Sequence, residues 1–208
     1  MYKRIVREVD EEFRIKTVWK GYGCAGMAVW ICSALFHSRD FWLTEYLDYF
    51  AACFLIFYAM FAGISFVFPW LQGSYNGKKV WAAIGTSIML FFFGHVYSLL
   101  TDFDYGHNMF YCISASLITA GIYLFWFVRE VSAGRGRRSL GALFLLIAIG
   151  LGSALFEILD FPPIFWTFDA HSLFHAATIP TPLLLAEFAI LEAKYEQDLT
   201  KTRMGKGY

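Results

Sequence analysis

Six long apolar stretches alternate with short polar ones, at residues 21–38, 46–68, 80–100, 108–128, 139–159 and 171–191. About 20 mostly apolar residues are needed for a helix to cross a ~30 Å hydrocarbon core, and each stretch is close to that length. Residues 80–100, 108–128 and 139–156 contain no Asp, Glu, Lys or Arg. Runs such as FLIFYAMFAGISFVF lack the period-2 alternation of a barrel strand. Only helices and closed barrels satisfy every backbone group in lipid. The pattern therefore predicts an all-α integral membrane protein, a six-helix transmembrane bundle forming a single domain over residues 1–208. The connections are short, so consecutive helices are expected to be neighbours. The first stretch is short and rich in Gly and Ala, which suits packing inside the bundle.

Composition agrees. Of 208 residues, 58% are apolar, 20% aromatic and only 16% charged, against about 25% charged in a soluble domain. Lys+Arg and Asp+Glu balance at 17 each, so no basic surplus invites nucleic acid. The four cysteines lie in apolar stretches without a CxxC pair, which reads as buried free thiols.

Charge also chooses a side. Sixteen of the 17 basic residues fall in the N-terminal segment, the loops after spans two and four, and the tail; Arg39 alone lies on the other side. By the positive-inside rule both termini are expected in the cytosol. The opposite face carries Asp40, Glu45, Asp48, Asp102, Asp104, Asp160 and Asp169, with Glu157 near a span end. Residues 1–20 are too charged for a cleavable leader, so the first span is expected to serve as an uncleaved anchor. Trp30, Trp42, Trp70, Trp81, Trp126 and Trp166 fall mostly near span ends, as interfacial belts do. The aromatic side chains could also line a lipid-sized groove.

Polar residues at membrane depth are costly and mark functional sites by default. Three loci stand out at the non-cytosolic end. Ser33 and His37 are spaced i, i+4 at the end of span one, Asp48 begins span two, and His171 and His175 are spaced i, i+4 at the start of span six. Alternation of spans brings all of them to one side of the membrane. Three histidines with an open fourth position are the pattern of catalytic zinc, although imidazole also suits iron or copper. On that reading His37, His171 and His175 are ligands, Asp48 shuttles protons, and Ser33 holds the water or a developing oxyanion. The spacing by itself also suits imidazoles bonded to neighbouring helices or water, and Ser33 suits a small packing residue. Asp169 reads as the N-cap of the sixth span, or as an acceptor orienting a histidine. His95 reads as a hydrogen-bonded histidine within the bundle or a head-group contact, and His107 as a solvated loop residue. Arg39 and Asp40 could form a local ion pair. Pro162 and Pro163 rigidify the loop before span six.

These residues resemble the CREST superfamily of membrane hydrolases, whose pattern is SxxxH on one span, Asp on the next and HxxxH on the last. Within it, FHSRDFWLTEYLDYF (36–50), FDYGHNM (103–109) and LFEILDFPPIFWTFDAHSLFHAATIP (155–180) are similar to the family of post-GPI attachment to proteins factor 3. The resemblance runs through nearly the whole chain. It implies a seven-span fold lacking its first span here, with Met1 at the family's first cytosolic loop. It further implies a zinc-dependent lipid hydrolase, phospholipase A2-like, that removes an acyl chain from the GPI-anchor lipid of GPI-anchored proteins. His37, His171 and His175 would hold zinc, with Ser33 and Asp48 assisting at a luminal active site in the endoplasmic reticulum or Golgi membrane. The rival readings are an alkaline ceramidase-like amidase, a non-enzymatic membrane protein of the progestin/adiponectin receptor kind, and a transporter.

Overall fold

The computed structural model describes residues 1–205; Lys206, one of the basic residues counted above on the cytosolic side, lies outside them. Among the described residues the chain forms nine helices: α1 (Tyr2–Glu8), α2 (Lys16–Ser38), α3 (Trp42–Val67), α4 (Trp70–Gly73), α5 (Tyr75–Thr101), α6 (Tyr105–Ser132), α7 (Arg138–Leu159), α8 (Ala170–Thr178) and α9 (Thr181–Gly205). Each of the six apolar stretches is helical over most of its length. Five segments are long and apolar enough to cross a membrane: α3, α5, α6, α7 and the α8–α9 stretch Ala170–Thr202. The protein is thus an all-α integral membrane protein. At 23 residues α2 is long enough, but Lys16, Lys20 and three early glycines dilute its apolar character.

Helices begin earlier than the apolar stretches because polar caps, not hydropathy, start them. Ser74 accepts the Gly77 N–H at 3.0 Å and begins α5, where a Cβ on Gly77 would collide with the Trp70 carbonyl. Asp104 accepts the His107 N–H at 3.0 Å at the head of α6. Thr44 Oγ1 accepts the Phe41 N–H at 3.3 Å at the head of α3.

The expected span 171–191 is not one continuous helix. It breaks at Ile179–Pro180, since proline lacks an N–H and its ring clashes with the carbonyl four residues back. Thr181 Oγ1 donates to the Thr178 carbonyl at 2.7 Å, and the Leu184 N–H returns to the Pro180 carbonyl at 3.0 Å.

The chain forms two compact units, Met1–Lys16 with Phe127–Tyr208, and Thr17–Trp126. In the first, α7 packs on α8 and α9, and α1 packs on α9. Ile5, Leu143, Ala186, Phe188 and Ala189 are fully buried there. Arg4 reaches Glu187 at 2.9 Å, and Arg14 reaches Glu196 at 3.3 Å. The basic residues of the loop between α6 and α7 are built into ion pairs as well. Arg137 donates from Nε and Nη2 to Glu192 at 2.8 and 2.9 Å and from Nη1 to Glu130 at 2.9 Å, and Arg135 reaches Glu130 at 2.7 Å. Ser139 donates to Glu192, which is 1% exposed. Breaking a buried pair strands the surviving charge at a cost of about 3–5 kcal/mol. Arg137→Ala is therefore expected to lower the melting temperature in detergent sharply, whereas Arg138→Ala, outside this network, leaves it nearly unchanged.

Between α7 and α8 the chain makes a tight hairpin. Ile164 and Phe168 exchange hydrogen bonds at 2.8 and 3.1 Å, and the Thr167 N–H closes onto the Ile164 carbonyl at 3.2 Å. Phe165 and Trp166 occupy the turn with φ of 53° and 60°. Positive φ at both central residues is the type I′ signature, which favours Asn-Gly; for other residues the left-handed region costs about 1–2 kcal/mol each.

In the second unit α3 packs on α5 around Cys53, Phe57, Phe92 and Ala115. Trp126 is buried and packs on Phe66, with ring centroids 4.9 Å apart, so it belongs to the core and not to an interfacial belt. Trp30, Trp42 and Trp70 are exposed. Phe54, Phe57, Phe61, Ile88 and Phe92 help line an apolar cavity of about 220 Å³. His95 is buried, with Nε2 3.0 Å from Asn108 Oδ1, which is the hydrogen-bonded state read from its position. His107 differs from expectation. It lies in the first turn of α6, half-buried, stacked on His95 at 5.6 Å and edge-on to Tyr111 at 4.7 Å. Its helix is longer than the apolar run, and the Asp104 cap draws it in.

Candidate active site

The short helix α8 carries the site's two imidazoles one turn apart. Asp169 starts it by accepting the Ser172 N–H at 2.7 Å, and this bond holds the Asp169 carboxyl below the usual carboxylate range. Thr178 Oγ1 donates to the His175 carbonyl at 2.9 Å in the last turn. Ala170 is buried, so α8 is held from its first residue.

His171 and His175 turn their Nε2 atoms toward each other at 3.0 Å, with rings nearly perpendicular at 89°. On its far side His171 Nδ1 lies 2.8 Å from Glu157 Oε1, in the last turn of α7. The carboxylate accepts, so Nδ1 carries the proton and Nε2 presents its lone pair toward His175. This is the arrangement in which a ligating histidine is oriented by a carboxylate behind it. The two Nε2 atoms are close enough for one cation to reach both, and neutral imidazoles backed by a carboxylate suit zinc. The donor set therefore fits a metal.

Glu157 is the site residue that sequence reasoning counted only as part of an acidic face. Asp169 is the N-cap, the first of its two sequence readings, and the carboxylate beside His171 is that of Glu157. The available signal was an acid in the last turn of an otherwise uncharged span, where a carboxylate needs a partner.

The other candidates lie in the second unit. Ser33 is 4% exposed on α2. His37 is exposed in the last turn of α2, its ring 5.2 Å from that of Phe36. Asp48 is half-buried on α3, six residues after that helix begins. Only residues 39–41 separate the two helices, so His37 and Asp48 share one end of this unit.

With this geometry in place, comparison with known proteins decides the family. Residues 1–193 match the Per1-like family. The chain belongs to that family. Its Per1-like relatives include the mouse "GPI-specific phospholipase A2-like PGAP3", 32% identical over 80% of this chain and 50% of the relative. The Xenopus tropicalis protein of the same name is 33% identical over 80% of this chain and 51% of its own. The Schizosaccharomyces pombe "Protein PER1 homolog" is 29% identical over 96% of this chain and 59% of its own. The chain spans about half the length of the curated relatives it matches. No solved structure matches. The resemblance read from the three motifs is thus confirmed at the level of the family.

Proposed function

We propose that this chain is a zinc-dependent lipid hydrolase that removes an acyl chain from the GPI-anchor lipid. The observation that carries the reading is the Glu157–His171–His175 array in a member of the Per1-like family, together with the activity for which its relatives are named. His37 would complete the ligand set with His171 and His175. Its support is the alternation of spans, which puts the end of α2 and the start of α8 on one side of the membrane. Zinc held by these histidines would supply Lewis acidity, to polarise the ester carbonyl and raise the acidity of water.

The remaining chemistry falls to the chain's own residues. Water adds to the acyl carbonyl, the bond to the glycerol oxygen breaks, and fatty acid and lysolipid leave. Asp48 accepts the proton from the attacking water and returns it to the departing glycerol oxygen, so no proton is gained or lost. Ser33 donates a hydrogen bond to the oxygen on which negative charge develops. Glu157 keeps the His171 proton on Nδ1. The apolar cavity walled by phenylalanines in the second unit is suited to an acyl chain. The basic-residue bias supports cytosolic termini and a site on the opposite side of the membrane, and the endoplasmic reticulum or Golgi membrane is the location that the family resemblance implies.

Glu157→Gln is expected to weaken zinc binding about 10–100-fold, read by titration against a competing chelator. An unchanged affinity would remove Glu157 from the site. The function itself is tested by incubating the purified protein, in vesicles, with a GPI lipid and separately with ceramide. Fatty acid released from the GPI lipid alone is the expected result. Release from ceramide alone would make the protein an amidase, and release from neither by a zinc-loaded sample would make the metal structural.

A further inference from the structure

We propose that the hairpin between α7 and α8 is a membrane-interface anchor. Phe165 and Trp166 insert into the boundary between head groups and acyl chains, on the side of the bilayer where His171 lies.

Four observations carry this. First, the aromatics sit where the backbone resists them: both central positions of the turn have positive φ, and bulky residues are outliers there. Second, neither ring gains cover from the described residues, since Phe165 is 86% and Trp166 98% exposed. Third, the hairpin leaves one membrane-crossing helix at Leu159 and enters the next membrane segment at Ala170, so its tip is pinned at the bilayer surface. Fourth, the outward apolar surface of α7, through Leu155, Ile158 and Leu159, resumes at Ile164, Phe165 and Phe168. Exposed Asp160 stands between the two groups, where the span gives way to the hairpin. Tryptophan at a bilayer's head-group level is where its amphipathic ring is most stable.

The anchor would also set the depth of the histidines. Pro162 and Pro163 stiffen the entry to the turn, and the Asp169 cap fixes the exit. Four residues lie between Trp166 and His171. This inference holds whatever lipid the site acts on.

The test uses the full chain, labelled with 5-fluorotryptophan, in phosphatidylcholine nanodiscs. The fluorine resonance missing from Trp166→Phe is assigned to Trp166. Dissolved oxygen, which concentrates in the bilayer, is expected to broaden it strongly, while a water-soluble nickel chelate leaves it nearly untouched. The reverse, strong nickel broadening without oxygen broadening, would overturn the anchor and show a tip held in water, free for a protein partner. A second variant, Phe165→Asn/Trp166→Gly, installs the pair that the turn prefers. If the aromatics anchor in lipid, its melting temperature in detergent holds or rises, and the stabilisation gained on transfer to nanodiscs shrinks. A lower melting temperature in detergent, with an unchanged gain in nanodiscs, would make the aromatics structural and refute the proposal.

Discussion

His171→Ala/His175→Ala protein is expected to lose bound zinc, lipid turnover and part of its thermal stability together. The two Nε2 atoms face each other at 3.0 Å, so on the proposed reading they would serve one ion and neither would replace the other. A metal that binds the folded state alone adds RT ln(1 + [Zn]/Kd) to stability, about 2.7 kcal/mol at a hundredfold excess over Kd. Metal analysis of chelator-washed protein, beside thermal melts with and without added zinc, checks this. One zinc per chain in the parent and none in the variant, with the zinc-dependent rise in melting temperature abolished, is the expected outcome. Equal metal content in both proteins would place the ion elsewhere. No metal in a well-folded parent would leave the histidine pair as a helix-to-helix hydrogen bond through Glu157.

Asp48→Asn is expected to lower turnover by about 10²–10⁴-fold, the range for loss of a general acid–base group, while zinc stays bound. The amide keeps the shape of the carboxylate but does not accept the proton of the attacking water. Rates and zinc content measured on the same preparation separate the two roles that a carboxylate can play near a metal. Loss of metal together with activity would assign Asp48 to ligation. Full activity would return it to the ordinary role of a polar residue at a span end. Asp48 sits six residues into α3, half-buried, where Asn fits without a change of volume, so misfolding is not the expected cause of a lost rate.

The extent to which the sequence foretold this protein differs from element to element. The spans were legible because lipid leaves so few options. A charge-free run such as 139–156 has no stable place except as a helix in a membrane or a core. The break at Ile179–Pro180 escaped hydropathy because proline is apolar enough to pass through it, while its backbone effect is local and steric. His107 was misplaced because a loop reading followed the end of the apolar run, whereas the Asp104 side chain starts the helix earlier. Trp126 looked interfacial from its position near a span end, but its ring is used against Phe66.

The site divides in the same way. His171 and His175 were legible because the i, i+4 spacing alone puts two side chains on one helix face. Asp169 was legible as a cap because Asp before a helical run, three residues ahead of a free N–H, has a local role. Glu157 was not legible, because its pairing with His171 spans 14 residues and a hairpin. Spacing rules reach one or two helical turns and do not extend across such a turn.

From its order of residues alone, then, this chain determined its helical class, its place in a membrane and the identity of its imidazole pair. Each of these rests on solvent transfer or on contacts within a turn of helix, which depend on neighbours in sequence. Tertiary structure alone decided that Glu157 backs His171, that Arg137 is clamped between Glu130 and Glu192, and that Phe165 and Trp166 stand outward on a strained turn. Those outcomes depend on which side chains meet after the helices pack and on which backbone angles the connections are left to adopt, and neither is encoded within a single helical turn.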